Sequence, residues 1–452
     1  MDNDGYTHDP AGGTRLQFKS SSDNGRTWTL RGTLSEAGRD LDNAQLVQRA
    51  DGTIVLAYRS VRWGESYRIL VRTSADGGAT WGSATTVDAN EGAPGSLSNP
   101  DRGVYEPNMN VFPNGDIGIM YANEKYALAT PAYSQVISMK VSTTGGTSWG
   151  AETFPVKDLN NSASRPGMPV WTRMTNGSWV LVYELCGTDG CNGWVKTPAD
   201  GRTWSSALGQ RLPAETGAPY VLSLSDGRLV VTSNTHEMLI SRDFGQNWYL
   251  DDRNPWGPLS TDDNLWPAII QTASNEIAVV TSAGRAPAFN NGHNIQIKFG
   301  TFSPLNQPAP IDGATYTFTA QHSGLNLDVD QGSGLDGAKV QQYTPNNLPP
   351  QNWVLHKQAD GAYLLQNQQS GKVLDVDANS MVDGAKVQQY SITGCACQHW
   401  FLDYVGGGNY QVRAAHSGKN LDVTAGSTAP GAAVEQWSNN FARPQRWKLT
   451  QK

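Results

Sequence analysis

Read for hydrophobic and polar positions, the chain is a series of short apolar runs broken by Asn-Gly or Asp-Gly. The unit appears as AQLVQRADGTIVLAYRS, NMNVFPNGDIGIMYAN, MPVWTRMTNGSWVLVYE and PYVLSLSDGRLVVTSN, with a looser fifth copy, PAIIQTASNEIAVVTSAG. Short apolar runs joined by such dipeptides predict β-hairpins with two-residue turns whose central residues need positive φ. Between the hairpins a second element recurs. SSDNGRTW carries Ser21, Asp23, Gly25, Thr27 and Trp28, and SADGGATW repeats the pattern at Ser74, Asp76, Gly78, Thr80 and Trp81. STTGGTSW, TPADGRTW and SRDFGQNW follow, ending at Trp149, Trp204 and Trp248. A plain hairpin plus a box-bearing hairpin makes four strands, so each period of about 55 residues predicts one propeller blade.

The boxes resemble the Asp-boxes of sialidase-like propellers, over residues 14 to 303. That resemblance implies a box at the turn between third and fourth strands, far from the active face. Its Asp and hydroxyl groups should tie down the turn, and its Trp should pack between blades. Six blades are expected. The chain opens on a box hairpin with no inner hairpin before it, so the first blade should lack its two inner strands. These strands and a signal peptide are expected upstream of Met1, because MDNDGYTHDP has neither a basic start nor an apolar core.

A Pro-rich connector, residues 304–313, separates this propeller (1–303) from a second repeat set at 314–452. SGLNLDVDQGSGLDGAKVQQY, SGKVLDVDANSMVDGAKVQQY and SGKNLDVTAGSTAPGAAVEQW align without gaps, each followed by Gln-x-Trp ending at Trp353, Trp400 or Trp447. The three copies resemble a ricin-type β-trefoil, similar to family 13 carbohydrate-binding modules. The resemblance implies that each Trp is core and that each copy can hold a sugar. The carboxylate would be Asp328, Asp375 or Asp422, and the aromatic platform Tyr343, Tyr390 or Trp437. The polar helper would be Gln341, Gln388 or Glu435. Aromatic faces stack on the apolar C–H face of a sugar while a carboxylate fixes its orientation. The Asn that often precedes Gln-x-Trp is replaced by Pro350, Cys397 and Pro444, so the resemblance does not fix the ligand. The expected fold class is therefore all-β, a six-bladed propeller plus a β-trefoil.

Net charge is -7 and no basic run is present, which argues against a nucleic-acid surface. No apolar run is long enough to cross a bilayer. Charged residues make up only 17%, while Gly (48) and Trp (15) are plentiful, a balance that suits an extracellular, sugar-facing β-protein. Four cysteines fall in close pairs, Cys186/Cys191 and Cys395/Cys397. Their spacing is not that of a zinc site; a loop disulfide fits the first pair, and a bridge in the second would be strained. DVDQGSGLDG, residues 328–337, lacks the closing Glu of a calcium loop, and His293 and His322 have no ligand partner at useful spacing. No metal or cofactor is expected.

Candidate chemistry sits where Val-Tyr-Glu occurs twice, at residues 104–106 and 182–184. Glu106 should begin a first strand, and Pro107 after it predicts extended backbone there. Glu184 should end a second strand one blade later, so both carboxylates could face one funnel. Two glutamates across a sugar are the equipment of glycoside hydrolysis, one protonating the leaving oxygen and the other attacking or activating water. The apolar setting of Glu184 should raise its pKa toward an acid/base role, while Glu106, near Arg102, should stay ionised as nucleophile. Glu124 in YANEKY is the reserve. The plainer reading is that either Glu bonds a neighbouring backbone at a strand end. VYEP, MYANE, Arg165 to Met168 and LVYE resemble the funnel motifs of glycoside hydrolase family 93 exo-arabinanases. That resemblance implies exo-release of arabinobiose from α-1,5-L-arabinan with retention, by Glu106 and Glu184, with Tyr105, Arg165 and Tyr183 contacting substrate. A monomer acting on plant polysaccharide outside the cell is expected, with no nucleic-acid or membrane partner. A sialidase is the first alternative; Arg165 and Arg285 could serve it, yet no Tyr lies between Tyr249 and Tyr316 to act as its nucleophile. A non-catalytic carbohydrate-binding protein is the second.

Overall fold

The computed structural model describes residues 13–198, 200–235, 237–251, 266–283, 294–301, 310–406, 408–440 and 442–452. Arg285, His293 and most of the Pro-rich connector lie outside the described residues. The chain divides into two compact units, Met1–Trp248 with Asn254–Phe302, and Ser303–Lys452 with Tyr249–Arg253.

Among the described residues, the first unit is a propeller of five blades plus a two-stranded ribbon. Strands β1 (Leu16–Ser20) and β2 (Thr29–Leu34) form the ribbon. The first blade is β3 (Asp40–Gln48), β4 (Ile54–Arg62), β5 (Ser66–Ser74) and β6 (Thr85–Glu91). The second is β7 (Val104–Val111), β8 (Ile117–Asn123), β9 (Val136–Ser142) and β10 (Thr153–Val156). The third is β11 (Arg165–Arg173), β12 (Trp179–Cys186), β13 (Asn192–Lys196) and β14 (Gln210–Thr216). The fourth is β15 (Tyr220–Ser223), β16 (Leu229–Thr232), β17 (Met238–Ser241) and β18 (Tyr249–Asp251). The fifth has three strands, β19 (Ala268–Ala273), β20 (Glu276–Ala283) and β21 (Asn294–Thr301). Inner strands β3, β7, β11, β15 and β19 lie side by side in that order and line the axis.

Blades are held face to face by apolar seams. Val55, Ala57 and Ile69 pack against Met109, Ile117 and Ile119 of the next blade. On the other face of that blade, Met120 and Ile137 pack against Trp171, Leu181 and Tyr183. Strand β8 is therefore buried at every position, because its alternating side chains serve two seams.

The inner hairpins differ from expectation at their turns. Arg49 and Thr53 still pair, as do Phe112 with Asp116, Met174 with Ser178 and Leu224 with Arg228, so the loop has three residues rather than two. Only the glycine has positive φ (Gly52, Gly115, Gly177 and Gly227, at 85–93°), as in a type I turn closed by a glycine bulge. The preceding Asp or Asn instead caps the turn with its side chain, Asp51 Oδ1 accepting Thr53 N–H (3.0 Å) and Asn176 Oδ1 accepting Ser178 N–H (3.0 Å).

The two S-x-D-x-G-x-T-W segments and their three looser copies close outer turns through their own side chains. Asp23 accepts the Thr27 N–H (2.9 Å) and hydroxyl (2.6 Å), and Asp76 repeats both bonds with Thr80 at the same distances. Ser21, Ser74, Ser142 and Ser241 each accept a glycine N–H at 2.8–2.9 Å. Trp248 is buried, and Trp204 meets Trp171 edge-on at 6.4 Å. Trp28, on the two-stranded ribbon, departs from the expected packing and is 47% exposed.

The second unit is a β-trefoil of three repeats about one core. Trp353, Trp400 and Trp447 are fully buried, and each indole N–H donates to a carbonyl of its own repeat, Leu327, Leu374 or Leu421 (3.0–3.1 Å). Gln351, Gln398 and Gln445, two residues earlier, are also fully buried and tie down the strand before them. Both cysteine pairs are disulfides, Cys186–Cys191 in the propeller and Cys395–Cys397 in the trefoil.

Candidate active site

The first three inner strands of the propeller are distorted at one equivalent place. The β3–β4, β7–β8 and β11–β12 ladders slip between Asp42 and Gln45, Tyr105 and Asn108, and Gly167 and Val170. In each slip one non-glycine residue is left-handed: Asn43 (φ 48°), Glu106 (57°) or Met168 (51°). The pattern continues with Ala218 (46°) and Trp266 (53°), each two residues before its strand's first paired residue, Tyr220 or Ala268. Proline follows four of the five, at 107, 169, 219 and 267. A bulge leaves one N–H out of the ladder, which suits a residue that has none, and it re-aims the preceding side chain. The extended backbone expected at Glu106 is therefore not what forms; the residue is left-handed.

This conformation brings the two glutamates together. A Cβ placed on Gly167 would lie 3.3 Å from Glu106 Oε2 and 3.7 Å from Glu184 Oε1. These two oxygens are thus no more than about 7 Å apart, a bound that admits both the retaining (~5–5.5 Å) and the inverting (~6.5–9.5 Å) arrangement of paired carboxyl groups. Each is held by one oxygen on a backbone donor of the following left-handed residue. Glu106 Oε2 accepts Met168 N–H and Glu184 Oε2 accepts Ala218 N–H, both at 2.7 Å. Burial pushes the Glu106 carboxyl up to about 7, with repulsion from Glu184 adding to it and the Met168 N–H opposing. Burial also raises Glu184, against the Ala218 N–H and the Arg165 charge. The expectation that Glu106 stays ionised is overturned, since its own burial and its neighbour both favour the proton.

The surroundings of the pair are well defined. Gly167 lies between the carboxylates, where any side chain would collide with Gln135 Nε2 (2.7 Å from its Cβ). Gln135 bridges Pro166 O (2.9 Å) and the Arg165 guanidinium (3.0 Å). Arg165 also pairs with Glu124, whose other oxygen accepts Gly103 N–H (3.1 Å). Glu124 is buried with both oxygens engaged, so the reserve carboxylate serves to anchor Arg165. Tyr105 packs edge-on against Tyr67 (5.6 Å), and the Arg59 guanidinium lies over both Tyr105 (5.1 Å) and Trp63 (5.2 Å). Arg59 Nε reaches Asp42 at 2.6 Å in a buried ion pair. The Cys186–Cys191 disulfide closes one side, with Cys186 Sγ 3.5 Å from Glu184 Oε1. These sulfurs and that oxygen lie within 4.8 Å of one another, but a disulfide sulfur has no thiolate charge with which to ligate a cation.

Tyr183 does not join the site. It is fully buried, and its hydroxyl donates to Leu208 O. Side chains on β12 alternate, so Tyr183 shares the seam of Leu181 and Leu185 while Glu184 turns toward the next blade.

In the trefoil, the three expected platforms are the exposed aromatics Tyr343 (42%), Tyr390 (37%) and Trp437 (39%). Asp328, Asp375 and Asp422 are buried beside them. Gln341 donates to Asp328 (3.0 Å) and Asp330 (3.2 Å), and Gln388 to Asp375 and Asp377 (both 3.1 Å). A cavity of about 390 Å³ in the first repeat is lined by Asp328, Gln341, Tyr343 and Pro350 among others. The third repeat differs: a carboxyl, Glu435, stands where the other two have an amide, and burial plus the Asp422 charge raises it.

Sequence reasoning missed the left-handed series, including Trp266 and Asn234, whose Oδ1 accepts Trp266 N–H at 2.7 Å. The available signal was the proline repeated after Glu106, Met168, Ala218 and Trp266.

Residues 6–164 match the family model for a BNR repeat-like domain, and residues 302–390 and 396–452 match that for a ricin-type beta-trefoil lectin domain-like family. No curated protein matches the chain. Among solved structures it is similar to an α-L-arabinanase of Penicillium chrysogenum complexed with arabinobiose, at 22% identity and a TM-score of 0.54. It is also similar to the glycoside hydrolase family 93 α-L-arabinofuranosidase of Fusarium graminearum in complex with arabinobiose, at 18% identity and a TM-score of 0.54. Each similarity covers 64% of this chain and 86% of the other. A designed threefold-symmetric protein is 45% identical over 31% of this chain and 99% of its own, with a TM-score of 0.30. At such identities the likeness to the two arabinan-related enzymes shows a shared propeller fold.

Proposed function

We propose that the protein is a secreted, retaining glycoside hydrolase that releases arabinobiose from the ends of α-1,5-L-arabinan, and that its trefoil holds it to plant polysaccharide. The observation that carries this reading is the approach of Glu106 and Glu184 to no more than about 7 Å, each with one oxygen braced by a backbone N–H. Two partly buried carboxyls this close, both raised by burial, favour holding one proton between them, which gives one acid and one nucleophile. In the first step the protonated carboxyl gives its proton to the leaving glycosidic oxygen as the other forms an ester to the anomeric carbon. In the second, the first carboxylate takes a proton from water, which displaces the ester and restores both groups. In this reading the ribbon β1–β2 is the outer half of a sixth blade.

The test is product analysis on debranched arabinan beside a galactan and a sialoside. Arabinobiose from arabinan alone is expected, with the α-anomer appearing first in proton NMR before mutarotation; a β-anomer formed first would overturn retention. Sialic acid release would overturn it. A non-catalytic, carbohydrate-binding reading draws on one observation: Asn234 makes the same backbone bracket as Glu184, so the bracket itself needs no carboxylic acid. Glu184→Gln separates the two, since it keeps the bracket and should abolish turnover while polysaccharide binding persists.

A further inference from the structure

Glu184 and Asn234 hold the same place in consecutive blades. Glu184 stands opposite Gly167 across the β11–β12 ladder, and Asn234 N–H donates to Gly217 O (3.0 Å); each glycine directly precedes a left-handed residue. The side-chain oxygen of each then receives the N–H of the next blade's left-handed residue, Ala218 for Glu184 and Trp266 for Asn234, both at 2.7 Å. Trp266 therefore shares its φ, its following proline and its bracketed N–H with residues whose place in the ring is fixed. Glu106, at the same place, turns its side chain toward the axis, beside Gly167 and Glu184. The same backbone geometry sends the Cα–Cβ bond of Trp266 the same way.

We propose that Trp266 is an aromatic wall of the propeller's central funnel and binds the apolar C–H face of a sugar ring beside the carboxylate pair. Asn234 is its positioning residue. Trp266 is only partly buried, unlike the seam tryptophans Trp171 and Trp179. Between it and Glu184 in blade order stands Ala218, the smallest side chain of the series, which leaves the width that a ring needs. A flat indole face stacks on such a ring while the carboxylates act on its polar edge. This inference rests on the glycan-hydrolase reading for its substrate, linear α-1,5-arabino-oligosaccharides.

The test is made in full-length protein carrying Tyr343→Ala, Tyr390→Ala and Trp437→Ala, so that binding reports the propeller. KM and kcat are measured with arabinotriose, and Kd for it in the added Glu184→Gln background. Trp266→Ala is expected to raise KM and Kd about tenfold, the effect of losing one stacked ring. Trp266→Phe keeps most of the affinity. Asn234→Ala reproduces part of the loss, and Asn234→Asp, which keeps the acceptor, restores it. Trp266→Leu guards against a folding defect, because it keeps apolar volume without an aromatic face. Parental KM in Trp266→Leu or Trp266→Ala overturns the inference and leaves the hydrolase reading standing. A parent without turnover whose binding still falls with Trp266→Ala overturns the hydrolase reading and leaves the aromatic wall. No binding by the trefoil-disabled parent overturns both.

Discussion

Glu106 should destabilise the protein that depends on it. Its carboxyl is pushed from the ordinary 4.5 up to about 7, chiefly by burial and then by Glu184. Below pH 4.5 the group is protonated in both folded and unfolded chains and contributes nothing. Between 4.5 and 7 the unfolded chain loses the proton while the folded one keeps it, so stability falls as pH rises. Above 7 the loss is complete, and a shift of this size corresponds to about 3 kcal/mol. Glu106→Gln removes the charge, and its amide oxygen can still accept the Met168 N–H. The variant should therefore match the parent near pH 4.5 and exceed it by about 3 kcal/mol at pH 8.5, while losing activity. Urea unfolding of the propeller at both pH values reads the difference, and thermal unfolding should show a rise of several degrees. A variant no more stable at pH 8.5 than the parent, or one whose advantage is independent of pH, refutes the picture of a carboxyl held in an unfavourable pocket.

Three further outcomes follow from the same contacts. Gly167→Ala places a methyl against Gln135 and between the two carboxylates, so kcat/KM should fall at least tenfold, with circular dichroism showing an intact fold. Tyr183→Phe should leave kcat and KM unchanged and cost about 1 kcal/mol in urea unfolding, because it removes one buried hydrogen bond far from the substrate. Arg165→Ala strands the buried Glu124 carboxylate and should destabilise the propeller by roughly 3 kcal/mol, with Glu124→Gln in the same chain restoring much of it.

Much of this was legible in sequence because repetition multiplies weak signals. One Asp-Gly or Asn-Gly between apolar runs says little, but four in register with five intervening boxes define blades, and three aligned Gln-x-Trp copies define a trefoil. The closeness of Glu106 and Glu184 was legible as well, since both follow Val-Tyr on neighbouring blades. What sequence hid was side-chain direction. Tyr183 and Glu184 are adjacent, yet alternation on β12 sends one into a seam and the other toward the funnel. The Asp-Gly turns hid their third residue, because Asp supports a turn by accepting an N–H as readily as by adopting positive φ. Glu106 was misread for a related reason. Proline after it disfavours the right-handed helical region, and the extended region is not the only escape.

The ionisation of the pair follows from one blade's departure from the others. Opposite the residue that precedes each left-handed position stand Arg59, Ala122, Glu184 and, through the Gly217 contact, Asn234. Where that residue is Glu or Asn, its side chain receives the next blade's N–H. Ala122 has no oxygen to offer, so the N–H of Met168 is left to Glu106, whose own left-handed backbone lets it reach across. One alanine thus explains why the acceptor comes from the first strand in one blade and the second strand in the next. The swap brings two carboxylates to the same glycine. Ala122→Asn should supply the missing acceptor, compete with Glu106 for Met168 N–H and release its carboxyl from the bracket. Loss of that hydrogen bond favours the proton further, so, with Glu106 as the protonated member of the pair, the basic limb of the pH–rate profile should move to higher pH while kcat falls. An unmoved basic limb in a folded Ala122→Asn protein would show that Glu106 does not owe its position to the gap.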